Sequence, residues 1–250
     1  MMNRIKDYSE VKDRIVKWIT DYVDTNNIKS LVVGVSGGID SAVTSTLCAH
    51  TGVPTYVIGM PILQHKDQES LSDAHVAWLA KNFHFNVTVR KFDLTRMFEI
   101  FKDLMGEEFD TNHACANSRS RLRMVTLYQV ATVTQGIVVG TGNKVEDYGV
   151  GFFTKYGDGG VDIAPIADLY KTEVWELGKF LGIDQWIIEA APTDGLWDDA
   201  RTDEDQLGVP YAALEEAMEY GTGLGVETLE YFNKRNQHKM QPIPTFELWK

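Results

Sequence analysis

Residues 34–41 read Gly34-Val35-Ser36-Gly37-Gly38-Ile39-Asp40-Ser41 and lie between a strand-like run and a helix-like run. Adjacent glycines let the backbone turn tightly and approach an anion closely. The amides of such a turn, together with the start of the next helix, point at one spot and make an anion site. Ser36 and Ser41 add hydroxyl donors. The lysine that a GxxxxGK[ST] phosphate loop needs is absent, so this is a different kind of loop. Asp40 sits one step from the helix start. Its carboxylate can cap the helix. In a loop built for polyphosphate it can instead hold Mg²⁺, which takes one or two carboxylates plus phosphate oxygens.

The SGGIDS run resembles the pyrophosphate-binding loop of the N-type ATP pyrophosphatases, which split ATP between its α and β phosphates. The competing reading is a glycine-rich turn with no ligand. The loop alone also resembles GMP synthetase, asparagine synthetase, argininosuccinate synthetase and several tRNA-modifying enzymes. Later segments discriminate. VVGTGNKVED at 138–147 and GFFTKYGDGG at 151–160 are similar to ammonia-dependent NAD synthetases. So are NSRSRLRMVTLY at 117–128, DLYKTEVWELGKFLG at 168–182, PTDGLWDD at 192–199 and QHKMQPIPTFE at 237–247. The resemblance runs from about residue 30 to the C-terminus.

That resemblance implies ATP as co-substrate, Mg²⁺, and amidation of deamido-NAD by ammonia through an NAD-adenylate, releasing AMP and pyrophosphate. It places Gly34–Ser41 on the ATP phosphates, Asp40 and Glu146 on magnesium, and Thr141, Lys171 and Thr193 on ATP. Arg123, Lys155, Asp162, His238 and Lys239 fall on positions that contact the dinucleotide, and Asp158 lies beside its reacting end. Asp40, Lys171 and Asp158 are thus the catalytic candidates. The fold implied is adenine nucleotide alpha-hydrolase-like, in one synthetase domain over 1–250 with no glutaminase domain, as a homodimer in the cytoplasm. Two other readings stay open: another adenylating amidase or thiolase of the superfamily, and an ATP-binding regulatory protein without chemistry. The chain departs from the pattern at Ile39, where many relatives have glutamine. Its segment from Gly142 to Gly151 is one residue longer than in some relatives, and its N-terminus is short.

Taken without the resemblance, these residues say less. Glu146 and the loop at 34–41 each follow a strand end, where open parallel sheets bind ligands. Arg119 and Arg123, four apart, share a helix face and read as a solvated stripe, and only the resemblance favours phosphate contact. Lys171 near a helix N-terminus opposes the helix dipole, which favours a phosphate partner. His238 and Lys239 read as a C-terminal helix cap pair. Trp175, Trp186, Trp197 and Trp249 read as packing residues. The six histidines show no metal-ligand spacing.

The elements that must position these residues alternate between strand and helix for two-thirds of the chain, the pattern of a doubly wound, mostly parallel α/β sheet with helices on both faces. Strands are expected at 30–35, 55–59, 86–89 and 136–140. Helices are expected at 8–24, 41–50, 68–82, 117–134 and from 168 to about 182. Leu94, Met97, Phe98, Phe101 and Met105 recur at helical spacing and predict a core face. The last quarter is expected to be helical, with an acid-rich gap between Thr193 and Gly208 whose composition reads as a solvated surface loop, while the resemblance implies a mobile lid over 194–208.

The chain has 250 residues, of which 44% are hydrophobic and 24% charged, an ordinary globular composition. The net charge of −12 argues against a nucleic-acid backbone as partner. No apolar run approaches the roughly 20 residues a membrane helix needs. The N-terminus lacks a secretory pattern. Cys48 and Cys115 form neither a metal motif nor a disulfide framework, which fits a reducing compartment.

Overall fold

The computed structural model of the chain describes residues 4–64, 66–193, 202–246 and 248. At its centre is a four-stranded sheet of β1 (Ser30–Val35), β2 (Thr55–Gly59), β3 (Val87–Lys91) and β4 (Gly136–Val138), in the order β3-β2-β1-β4. Every pairing is parallel, with Leu31 opposite Thr55 and Ile137, and Val57 opposite Val89. Beyond β4 the bridge between Val139 and Ile163 adds the start of a further parallel pairing.

Both faces of the sheet are covered, as the continuous apolar run in β1 requires. Leu31, Val33 and Val35 pack with Ile19 and Val23 of α1 (Tyr8–Thr25), α2 (Ile39–His50) and α6 (Lys171–Phe180). Val32 points the other way, into a cluster with Phe98 of α4 (Thr95–Met105) and Ala131 of α5 (Asn112–Val133). Period-two alternation along one strand thus feeds two separate cores. A third cluster joins Val145 and Val150 to Leu207 of α8 (Asp203–Leu207) and to Tyr211 and Leu214 of α9 (Tyr211–Tyr220). Completing the set are α3 (Lys66–Asn82), α7 (Gln185–Glu189) and α10 (Val226–Met240).

Several expectations shift. Helix α5 begins five residues before the expected start, where the Thr111 hydroxyl accepts the Ala114 amide at 3.3 Å. The apolar stripe at 94–105 is only partly a core face. Leu94 and Phe98 are buried, whereas Met97, Phe101 and Met105 are 49%, 38% and 43% exposed. Trp175 packs edge-on against Tyr211, but Trp186 is three-quarters exposed and is no packing residue. Trp197 and Trp249 lie outside the described residues. The expected lid divides: 194–201 lies outside the described residues, and Thr202 caps a short helix, α8, within the expected loop.

Candidate active site

β1 has β2 on one side and β4 on the other, so the chain's winding reverses direction between β1 and β4. The crevice beyond the carboxyl ends of those two strands is where an open α/β sheet binds ligands. A cleft of about 280 Å³ lies there. The loop Gly34–Ser41 lines it together with Thr141, Glu146, Lys171 and Thr193, and so do Arg123 and Asp158.

The loop is held in shape by its own hydroxyls. Gly37 has φ +94°, which a side chain would oppose. The Ser41 hydroxyl donates to the Gly38 carbonyl at 3.0 Å and accepts the Ser36 amide at 3.2 Å. Gly38 is the N-cap of α2 and makes no side-chain cap bond, so Asp40 is not the cap. Ile39 is buried against α6, where a Cβ at Gly178 would stand 2.7 Å from the Ile39 Cδ1. Isoleucine at this position therefore serves helix packing.

Asp40 faces inward to Lys171, the first residue of α6. The Lys171 ammonium donates to Asp40 Oδ2 at 2.5 Å and to Glu146 Oε1 at 3.0 Å, and its side chain is 3% exposed. Burial works against the ammonium, but the carboxylates of Asp40, Glu146 and Asp203 outweigh it and hold Lys171 protonated. The cation's unfavourable place at a helix N-terminus is thus compensated inside the protein. The Asn143 amide donates to Asp40 Oδ1 at 3.2 Å, and its carbonyl oxygen accepts the amides of Val145 and Glu146. The Tyr211 hydroxyl donates to Glu146 Oε1 at 2.7 Å, with Asp203 Oδ2 at 3.2 Å. Burial, then the adjacent Glu146 and Asp203 carboxylates, pushes the phenol far up, so it stays a donor.

Glu146 lies in a π-helical turn, Val145–Val150, ended by Gly151 in a left-handed conformation. A π turn carries one residue more per hydrogen-bonded ring than an α turn. The next residue, Asp147, also lines the cleft, and burial followed by the Glu146, Asp158 and Asp40 charges pushes its carboxyl up to about 8.

Two carboxylates facing one place suit Mg²⁺ bound with phosphate oxygens. The donor chemistry of Asp40 and Glu146 therefore fits that ion. Among the described residues no three His, Cys, Asp or Glu side chains converge as a metal cage.

Asp158 is anchored where the cleft meets α5. Its Oδ1 accepts the Ser120 hydroxyl at 2.6 Å and the Thr154 amide at 3.0 Å. Burial raises its carboxyl despite those donors. Arg123 donates to the Met60 carbonyl at 3.0 Å and to Gln64 at 2.9 Å, while Arg119 is buried with its guanidinium 4.8 Å over the Phe98 ring. The pair is therefore not a solvated stripe.

The other expected dinucleotide contacts stand apart. Lys155, Asp162, His238 and Lys239 do not line the cleft. Lys155 donates to the His238 carbonyl at 3.2 Å, and Lys239 to that of Phe153 at 2.7 Å. Asp162 accepts the Val138 amide at 2.7 Å and the Tyr128 hydroxyl at 3.1 Å, which makes it a latch on β4.

Sequence reasoning missed Asn143, Asp147, Asp203 and Tyr211. The first two fall inside a motif already singled out. Nothing local marks Tyr211 or Asp203, whose roles arise from packing across the fold.

The NAD synthase family model matches residues 11–243. The NH(3)-dependent NAD(+) synthetase of Methanococcoides burtonii is 39% identical, over 85% of this chain and 80% of that protein. That of Methanosarcina acetivorans is 34% identical, over 97% and 100%. Among solved structures, NMN synthetase from Francisella tularensis aligns with a TM-score of 0.90 and 31% identity, over 98% of this chain and 100% of that one. The NH3-dependent NAD synthetase from Campylobacter jejuni aligns with a TM-score of 0.78 over 97% and 100%, and at 24% identity supports the fold alone.

Proposed function

The chain belongs to the NAD synthase family, and we propose that it uses ATP to amidate deamido-NAD with ammonia, giving NAD, AMP and pyrophosphate. The observation that carries this reading is the convergence of the glycine-rich loop, Thr141, Glu146, Lys171 and Asp158 on one cleft.

A carboxylate is a poor electrophile, because direct amidation would have to expel oxide. In the proposed reaction the nicotinate carboxylate oxygen attacks the α-phosphorus of ATP, and the bond from that phosphorus to the β-phosphate oxygen breaks. Ammonia then attacks the carbonyl carbon, AMP leaves, and the nitrogen loses a proton. The amides of Gly34–Ser41 and the Ser36 hydroxyl receive the departing pyrophosphate, a task of positioning and charge stabilisation. Lys171 adds a positive charge beside it. Mg²⁺, held by Asp40 and Glu146, would supply charge neutralisation on the polyphosphate. Asp158, with one oxygen anchored, is assigned to accept the proton from the attacking nitrogen. Thr141 and Thr193 flank the nucleotide, and Arg123 faces the acyl substrate.

A homodimer is part of this reading. Met97, Ile100, Leu104 and Met105 leave a large apolar row exposed along α4, which a second copy would cover. Lys155, Asp162, His238 and Lys239 would then meet the dinucleotide at or beyond the rim of the cleft.

The test is incubation with ATP, Mg²⁺, ammonium and deamido-NAD. NAD, AMP and pyrophosphate should appear together; ADP and phosphate as products would overturn the proposal.

A second reading has its own support. The likeness in shape to the Francisella tularensis NMN synthetase is high, with a TM-score of 0.90 at 31% identity, and four expected dinucleotide contacts do not line the cleft. On this reading the acyl substrate is the shorter nicotinic acid mononucleotide. Comparing kcat/KM for the two acids decides between them: a preference of tenfold or more for the mononucleotide would favour the second.

A further inference from the structure

Asp40 and Glu146 are already bridged, by a group of the protein itself. Both accept the Lys171 ammonium, at 2.5 Å and 3.0 Å. Each is also held by a neutral donor from another side, Asp40 by Asn143 and Glu146 by Tyr211. The ammonium also has the Tyr211 ring 4.9 Å away. It stands at the first position of α6, where the helix end repels a cation, so the two carboxylates are what keep it there.

We propose that Lys171 is a resident counter-ion. In the nucleotide-free enzyme its ammonium fills the place between Asp40 and Glu146 that a divalent cation takes, and yields it only when ATP brings the metal. A divalent ion arriving alone would find two carboxylates, no third His, Cys, Asp or Glu converging on them among the described residues, and a positive charge in the way. Magnesium is bound reluctantly without phosphate oxygens to complete its shell. ATP supplies those oxygens, and it also gives the displaced ammonium new anionic partners. The exchange makes metal entry depend on nucleotide. It also delivers Lys171 to the phosphates at the moment charge must be stabilised there. The proposal rests on Asp40 and Glu146 being the metal ligands of the reaction proposed above.

The experiment measures Mn²⁺ affinity by electron paramagnetic resonance titration, with no ATP and no acyl substrate. Wild type should bind Mn²⁺ weakly. Lys171→Met and Lys171→Gln, which remove the charge, should bind it at least tenfold more tightly. Adding Asp40→Asn to either variant should cancel the gain. Unchanged affinity in both single variants, or a gain that survives Asp40→Asn, overturns the proposal. Should neither variant fold, wild type alone decides. Mn²⁺ should bind tightly only when α,β-methylene-ATP is present, and tight one-to-one binding without nucleotide overturns the idea. Because this readout needs no turnover, its failure leaves NAD formation as a separate question, and failure to form NAD leaves the Mn²⁺ result intact.

Discussion

The Ser120 hydroxyl donates to Asp158 Oδ1 at 2.6 Å while it accepts the Asp158 amide at 2.8 Å. One side chain on α5 thus fixes both ends of the residue assigned to accept a proton. A Cβ at Gly157 would stand 2.2 Å from that hydroxyl, so the backbone there is pressed against it. Ser120→Ala should lower kcat by about tenfold or more, because a misplaced group loses rate steeply, and should leave the KM for ATP nearly unchanged. Stability should fall by about 1–3 kcal/mol, for a lost hydrogen bond to a buried acceptor. Steady-state kinetics and urea unfolding check both, and an unchanged kcat would remove Asp158 from the chemistry.

Asp40→Asn and Glu146→Gln should each cut turnover by at least about a hundredfold, as loss of transition-state charge stabilisation costs several kcal/mol. Asp40→Asn should also cost roughly 2–3 kcal/mol of stability. That is somewhat below a fully broken buried pair, since Glu146 still faces Lys171. Near-normal turnover in both variants would contradict the metal assignment.

His75 supplies the pH prediction. It is a buried residue of α3 that faces α2, with Nε2 3.0 Å from the Ser45 hydroxyl, and burial lowers it from 6.5 to about 4. The ring is neutral in the fold, while the unfolded chain takes up a proton below 6.5. Its contribution is therefore intact above 6.5 and is lost as pH falls from 6.5 toward 4. The loss should reach roughly 2 kcal/mol by pH 4.5. Urea midpoints from pH 7 to 4.5, compared with His75→Gln, isolate it. A parallel decline in the two proteins would assign the acid sensitivity to other groups.

Ammonium should support synthesis where purified glutamine does not. A glutaminase needs a thiolate nucleophile. Burial pushes the Cys48 thiol up to about 12, and burial together with Asp110 raises Cys115. NAD formation from glutamine at a rate comparable to ammonium would refute this.

Light scattering should give twice the chain mass at micromolar concentration, and Leu104→Glu should shift it toward monomer. Leu104 is 80% exposed on α4, so the change should cost the monomer under about 0.5 kcal/mol. A wild-type monomer would assign the apolar row to something other than self-association.

The strand at 30–35 and its loop were legible because an apolar run and two glycines are local signals. Glu146 could be found only through its motif. The partner of Lys171 was not legible: Asp40 lies 131 residues away, and a helix-end lysine reads the same whether a phosphate or a carboxylate satisfies it. The stripe at 94–105 shows the opposite limit. Periodicity reveals which side of a helix is apolar, but not whether that side meets the chain's own core, and Met97 and Met105 do not. The π turn at Val145–Val150 was not legible, because nothing in its residue types separates a wider turn from an α-helical one.

The central position of β1 has a consequence for how a nascent chain must fold. Its neighbour β2 leaves the ribosome early, but its other neighbour, β4, ends at residue 138. Asp40 then waits for Asn143 and for Lys171. Until β4 emerges the central strand is half-paired, and until residue 171 emerges Asp40 has no positive partner in the interior. Contacts of such sequence separation form late and slow the search. Synthesis therefore completes the machinery that recognises ATP only after about two-thirds of the polypeptide exists, and a chain stopped before β4 exposes the bare edge of β1 to other chains.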